Sequence, residues 1–178
     1  MADGATASPR LRGIKHGEPL GVLVLPGWPG PALTRLTQAL AEAHINLPLV
    51  LLHPGAAPAA SHLAVDSGRQ EDALGLAQQV SRELGLEPPQ LRRAMVALTL
   101  YPLGGSLTLP AAVLACLARL DIHPLALGTS LSSLVMVLEQ ASLARARAAL
   151  AQAFGLPDDA DTAWSLRVIQ EPGPREQD

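Results

Sequence analysis

Leu23-Val24-Leu25-Pro26-Gly27-Trp28-Pro29-Gly30-Pro31-Ala32-Leu33, running on into Leu36-Thr37-Gln38-Ala39-Leu40-Ala41-Glu42-Ala43-His44-Ile45-Asn46-Leu47, decides how this chain folds. Residues 20–25 are apolar almost throughout and have the length of a strand. Pro29-Gly30-Pro31 ends that run, and proline suits the first turn of a helix, where its missing N–H is not needed. Leu33, Leu36, Leu40 and Ala43 then fall on one helical face, and a second strand opens at Ile45-Asn46. A turn of this kind aims the N–H groups of a helix start at whatever sits above it, which suits a small carboxylate. Equally, it is an ordinary connection from strand to helix. It is not a dinucleotide loop, since Gly27-Trp28-Pro29-Gly30 lacks the three-glycine fingerprint and two prolines remove donors.

The same order of elements continues downstream. Residues 45–52 read as a strand turning near Pro54-Gly55, and residues 61–66 as a third strand. Ala73, Leu76, Ala77, Val80 and Leu84 mark a helix over 70–84, closed by Gly85 and followed by a linker at Pro88-Pro89. Then the pattern recurs, with a strand at 95–100, a turn at Gly104-Gly105-Ser106 and a helix at 111–120. Strands at 122–127 and 134–138 and a helix at 141–154 complete it. Gly27, Leu36, Leu40 and Ile45-Asn46 superpose without a gap on Gly104, Val113, Leu117 and Ile122-His123. Leu84-Gly85-Leu86 matches Phe154-Gly155-Leu156 at a shorter offset. Two βαββα units in tandem is the reading, each in the order of a ferredoxin-like α+β sandwich with helices on one face of an antiparallel sheet. A short strand at 11–15 precedes them. Residues 1–9 form a disordered tail, and 158–178 an acidic C-terminal extension with a short strand at 164–169.

Composition excludes several functions. Hydrophobic residues make up 48% of the 178 but aromatics only 2%, so the core is Leu, Val and Ala and no base-stacking platform is available. A net charge of −3 without any Lys/Arg block argues against nucleic acid. No apolar run approaches the roughly 20 residues of a membrane span, and no signal peptide opens the chain, so a cytoplasmic protein is expected. Cys116 is the single cysteine and sits in an apolar helical run, as a small hydrophobe rather than a nucleophile. The five histidines (His16, His44, His53, His62 and His123) show no paired helical spacing, so neither metal nor cofactor is expected. Thr129, Ser130, Ser132 and Ser133 read as loop hydrogen-bonders, with no Gly-x-Ser-x-Gly elbow to make one a nucleophile.

A strand ending in Gly-x-Pro-Gly, then a helix, then a strand starting at Asn, resembles the ACT domain, a small amino-acid-sensing module. The match sharpens for the tandem ACT region of aspartokinases. Arg12-Gly13-Ile14-Lys15-His16 is similar to that family's "TGIA" strand, and Trp28-Pro29-Gly30-Pro31-Ala32-Leu33 to its "kPGvaa" turn. Ala41-Glu42-Ala43-His44-Ile45-Asn46-Leu47 resembles "aeagINv". Leu127-Gly128-Thr129-Ser130-Leu131 with Leu134-Val135-Met136-Val137 resembles "iSTSe…isvvi". The resemblance covers residues 11–157 and implies two ACT units, 18–90 and 10–17 plus 91–157, with the strand at Arg12–His16 joining the second. It also implies side-by-side pairing into eight-stranded sheets across a homodimer, with a biosynthetic enzyme as a further partner.

The implied activity is non-catalytic and allosteric, as in the free regulatory beta subunit, with an amino acid bound where ACT units meet. The positions implied for that ligand are Gly27, Trp28, Gly30, Ala32, Leu33, Asn46, Leu47 and His53, with Ile122, His123, Thr129 and Ser130 from the second unit. This chain departs from the family in ways that bear on the ligand. Gly27 stands where an acidic residue is usual, and "INvDmIvQN" becomes Ile45-Asn46-Leu47-Pro48-Leu49-Val50-Leu51-Leu52-His53. His123 replaces the second unit's Asn, and Ser106-Leu107 its Pro-Gly. A neutral, apolar amino acid is therefore expected rather than lysine or threonine. The alternative is an ACT-fold dimerisation scaffold that has lost its ligand.

Overall fold

The computed structural model describes residues 11–53, 59–102 and 108–156. The N-terminal tail, the turns at 54–55 and 104–106, Ser106-Leu107, the strand read at 164–169 and the acidic extension lie outside them. Seven strands and four α-helices follow one another in the described residues. They are β1 (Gly13–His16), β2 (Leu20–Pro26), α1 (Gly30–Glu42), β3 (Leu49–Leu51), β4 (Ala60–Asp66), α2 (Gln70–Leu84), β5 (Gln90–Tyr101), α3 (Thr108–Ala118), β6 (Ala126–Thr129), β7 (Leu134–Glu139) and α4 (Leu143–Phe154). All strand pairs are antiparallel.

Strand β5 belongs to two four-stranded halves. Its first residues pair with β2 (Gln90 with Val24, Arg92 with Val22), completing the order β3-β4-β2-β5. Its last residues lie between β7 and β1, with Thr99 opposite both Val135 and Lys15, giving β6-β7-β5-β1. Each half thus has a ferredoxin-like strand order, and the second takes its fourth strand from the N-terminal end of the described chain. The two roles meet at a bulge. Met95 faces Leu20 while Arg92 faces Val22, so β5 carries one residue more than β2, and Ala94 absorbs it at φ 52°.

Opposed residues of an antiparallel pair share a sheet face, so burial identifies which face carries the helices. In the first half Leu23, Leu25, Leu63 and Val65 pack against Leu33, Leu36 and Leu40 of α1 and Ala73, Ala77 and Val80 of α2. In the second half Val96, Leu98, Leu100, Leu134 and Met136 pack against Leu109, Val113 and Leu117 of α3 and Ala146 and Leu150 of α4. The opposite, helix-free face holds a third cluster of Leu20, Val22, Ala64, Met95 and Val137, with Leu49 and Leu125 packed against it. That face is buried because the sheet curls back on itself. A methyl group added to Gly128 of β6 would lie 2.8 Å from Leu51 Cδ2 of β3, so the outer strands of the two halves touch.

Each of the four helices ends in the same way. His44, Gly85, Asp121 and Gly155 adopt positive φ (53°, 64°, 56° and 64°), and the next residue donates its N–H back into the last turn. Those bonds run from Ile45 to the carbonyl of Leu40, Leu86 to Ser81, Ile122 to Leu117 and Leu156 to Ala151, at 2.9–3.1 Å. This closure turns an apolar side chain onto the core immediately after the helix. It also corrects two sequence expectations. The strands expected at 45–52 and 122–127 lie at Leu49–Leu51 and Ala126–Thr129, each starting four residues later than expected, because Ile45 and Ile122 are engaged in helix closure and buried. The strand expected at 95–100 begins earlier, at Gln90, directly after Pro88-Pro89.

Trp28 is 1% exposed, and its indole N–H donates to the carbonyl of Glu87 at 3.0 Å, fastening the connection between α2 and β5 to the first core. Replacing Trp28 by Phe keeps an aromatic ring but leaves that carbonyl without its donor. A loss of about 1–3 kcal/mol is expected in urea unfolding. Leu98→Ala, at a fully buried position of β5, is expected to cost about 2–5 kcal/mol.

Candidate functional site

The turn between β2 and α1 has few N–H groups to offer a ligand. Gly27, at φ 61°, donates to the carbonyl of Ala59 at 3.0 Å, and Ala32 and Leu33 both donate to that of Pro29 at 3.0 and 3.1 Å. Pro29 and Pro31 have no N–H, which leaves at most those of Trp28 and Gly30. The side chains of Trp28, Ala32 and Leu33 are in the first core, where Leu47 packs partly buried. Ile122 is 4% exposed in the second core. His123 is exposed, its Nε2 lying 3.0 Å from Asp121 Oδ1. Thr129 ends β6, and exposed Ser130 closes the following loop by accepting the N–H of Ser133 at 3.0 Å. His53 is exposed and its N–H donates to Ser61 Oγ at 2.9 Å.

Asn46 is placed differently. It lines a cavity of about 560 Å³ between the helix-free sides of the two halves. From the first half come Leu20, Asn46, Pro48, Leu49, and Asp66 at the end of β4. From the second come Lys15 of β1, Ala97, Thr99 and Tyr101 of β5, Val135 of β7 and Ser132-Ser133 ahead of it. The link Gly17-Glu18 joins the two sides. None of the other expected ligand positions lines this space.

Register explains why these residues meet. Lys15, Thr99 and Val135 are cross-strand neighbours on one face, and Leu20 and Asp66 are partners on β2 and β4. Lys15 Nζ lies 4.9 Å from the centroid of the Tyr101 ring, within cation–π range. That ring leans over Gly13, where an added methyl group would come within 2.5 Å of the phenol oxygen, so glycine gives Tyr101 its place. A signal for this wall was present in the sequence. In β5, Thr99 and Tyr101 alternate with Leu98 and Leu100, which points one polar row away from the core.

At the sequence level no protein-family model matches the chain, and no curated protein matches it either. Solved structures do. The regulatory subunit of aspartate kinase from Thermus flavus superposes with a TM-score of 0.73 at 22% identity, covering 82% of this chain and 99% of that one. The fold is that of aspartate kinase regulatory subunits. The ligand-free Thermus thermophilus regulatory subunit gives a TM-score of 0.70 at 20% identity, over 81% of this chain and 97% of the other. Aspartate kinase from Synechocystis gives 0.72 at 18% identity, with 84% of this chain matching 28% of the longer enzyme. Among the described residues of this regulatory-subunit fold, no group of three His, Cys, Asp or Glu is placed to hold a metal ion. No described helix is long and apolar enough to cross a membrane.

One titratable group stands out on the helix-free side. His62 of β4 has a buried Nδ1 with no hydrogen-bond partner among the described residues. Burial, and secondarily the neighbouring His53, lowers its pKa below the usual 6.5. The fold therefore selects the neutral ring. This contribution to stability is complete above pH 6.5 and is lost as pH falls through the lowered folded-state value. Melting temperature should fall on acidification below about pH 6.5, and less steeply in His62→Phe. Equal slopes for the two proteins would contradict this origin.

Proposed function

We propose that this protein is a non-catalytic regulatory module that binds a small amino acid and passes the event on by a change in how its sheets are arranged. The observation that carries this reading is the superposition on nearly the whole length of free aspartate kinase regulatory subunits. In this reading the chain comprises two ACT units, residues 18–90 and 10–17 plus 91–157, interlocked through β1 and β5. The ligand binds one arrangement better than another and shifts the population towards it. The units pair side by side in a homodimer, and α3 supports this. Its outward Ala111, Ala112, Leu114, Ala115 and Ala118 are exposed, an apolar surface that a second copy would cover. A biosynthetic kinase is the partner that would read the change.

The tied-up turn after β2 favours a second reading, a dimerisation scaffold without a ligand. Three N–H groups there are already bonded and two are missing. The two readings separate in one experiment. Thermal melting of the chain in each of the twenty amino acids, with its mass measured by sedimentation, should show a dimer stabilised by a neutral amino acid. At a hundredfold excess over Kd the gain would be about 2.7 kcal/mol. A dimer whose melting no amino acid moves would instead be the scaffold.

A further inference from the structure

We propose that His62 is an acid-sensitive latch on the cavity between the two halves: on gaining a proton it releases the contact of β3 with β6 and loosens the cavity wall beside them. The latch acts whichever ligand the cavity takes. It is built from register. Leu51 of β3 and His62 of β4 are cross-strand partners, so their side chains stand together on the helix-free face. From there Leu51 reaches over Gly128 of β6, which has no side chain to exclude it. A methyl group added at Gly128 would also lie 3.5 Å from Val135 Cγ1. Val135 and Leu49 both line the cavity, so the Leu51–Gly128 contact adjoins its wall. Strand β3 is the lightly held side of that contact. It has three residues, lies at the edge of the sheet and pairs only with β4.

A proton on His62 finds nothing to receive it. The Nδ1 atom is buried and has no hydrogen-bond partner among the described residues. As a neutral acceptor it forgoes one hydrogen bond, but as part of an imidazolium it would place an unpaired charge in the same apolar surroundings. The ionisable neighbours offer no relief. His53, just beyond β3, opposes the charge. Val24 of β2 pairs with His62, and on the same face Arg92 of β5 stands opposite Val22, a second cation. Asp66 shares that face of β4 but is exposed at the far end of the strand. Across the contact, Gly128 and Val135 carry no ionisable group. Only water can satisfy the charged ring, and moving Leu51 off Gly128 admits it with the least loss of strand pairing.

The direction follows from linkage. The closed arrangement holds the neutral ring, and the open one restores an ordinary histidine. Opening therefore gains as pH falls below 6.5, by up to about tenfold per pH unit, and levels off once the closed state's lowered pKa is passed.

Hydrogen exchange of the full chain, read peptide by peptide by mass spectrometry and corrected for intrinsic rates, tests this between about pH 7.5 and about pH 5.5. Peptides containing Leu49–Leu51 and Ala126–Thr129 should exchange up to about tenfold faster at the acid end, while those of α1 and α3 keep their protection. His62→Gln, uncharged throughout, should remove the difference, and His62→Phe takes its place if that variant does not fold. His53→Ala should retain it. Gly128→Ala, whose methyl group displaces Leu51, should speed exchange in β3 already at neutral pH. An acid response that survives both His62 variants would assign it to another group. Loss of protection in α1 and α3 at the same pH would make the event unfolding and not a latch. A β3 indifferent to acid or to Gly128→Ala would overturn the closure at Leu51.

Discussion

Strand β5 must serve both halves of one sheet at once, and most of the architecture follows from how it does so. A strand in regular extended conformation keeps its side-chain alternation, so it presents one fixed set of residues to each face. Here Leu91 packs on the first core, and Val96, Leu98 and Leu100 on the second. Leu91 and Val96 are five positions apart and would point to opposite faces without a bulge. The extra residue at Ala94 restores the phase. Both helical layers are thereby kept on one side, and the other side is left for the halves to meet.

What lies on that other side is unlike either core. The helix-packed faces are built mainly of leucine, valine and alanine, as suits a chain so poor in aromatics. The helix-free face is dry over Val22, Ala64, Met95 and Val137 but opens towards Lys15, Asn46 and Asp66. The transition coincides with the link Gly17-Glu18-Pro19, where the edge formed by β1 and β2 is interrupted and backbone pairing with β5 lapses. Gly17 still donates to the carbonyl of Ala97 at 3.1 Å, so the interruption is short and anchored. A cavity at a break between paired segments is what an antiparallel sheet produces when one strand is made of two.

The elements legible in the sequence were those with strong periodicity. The apolar run 20–25, the helices carrying Leu36-Leu40 and Val113-Leu117, and the glycine stops at Gly85 and Gly155 are all where their patterns put them. Regulatory-subunit similarity was also readable from the order of short motifs, although no single one is decisive. The illegible parts have physical causes. His44 and Asp121 close helices in a conformation usually left to glycine, so Ile45 and Ile122 looked like strand openings. Gln90-Leu91-Arg92-Arg93 lacks the apolar alternation of a strand because, among the described residues, it pairs only with β2 of the first half. The cavity joins residues as far apart in sequence as Lys15 and Val135, and only register brings them together. Of the motif positions, Asn46 lines the cavity, whereas Trp28 serves the core.

The exchange of β1 has a consequence for how the molecule comes apart. A strand near the start of the described chain completes the half built by its end, and β5 is shared, so the second half does not own its four strands as a contiguous piece and neither half owns β5 alone. Cutting after α2 would strip β5 from the first piece and β1 from the second, exposing two raw edges at once. The halves are therefore bound to melt together, as a single cooperative body. Such interlocking slows folding, because the pairing of β1 with β5 spans more than half the described chain. Once formed, it lets strain at either end be felt throughout.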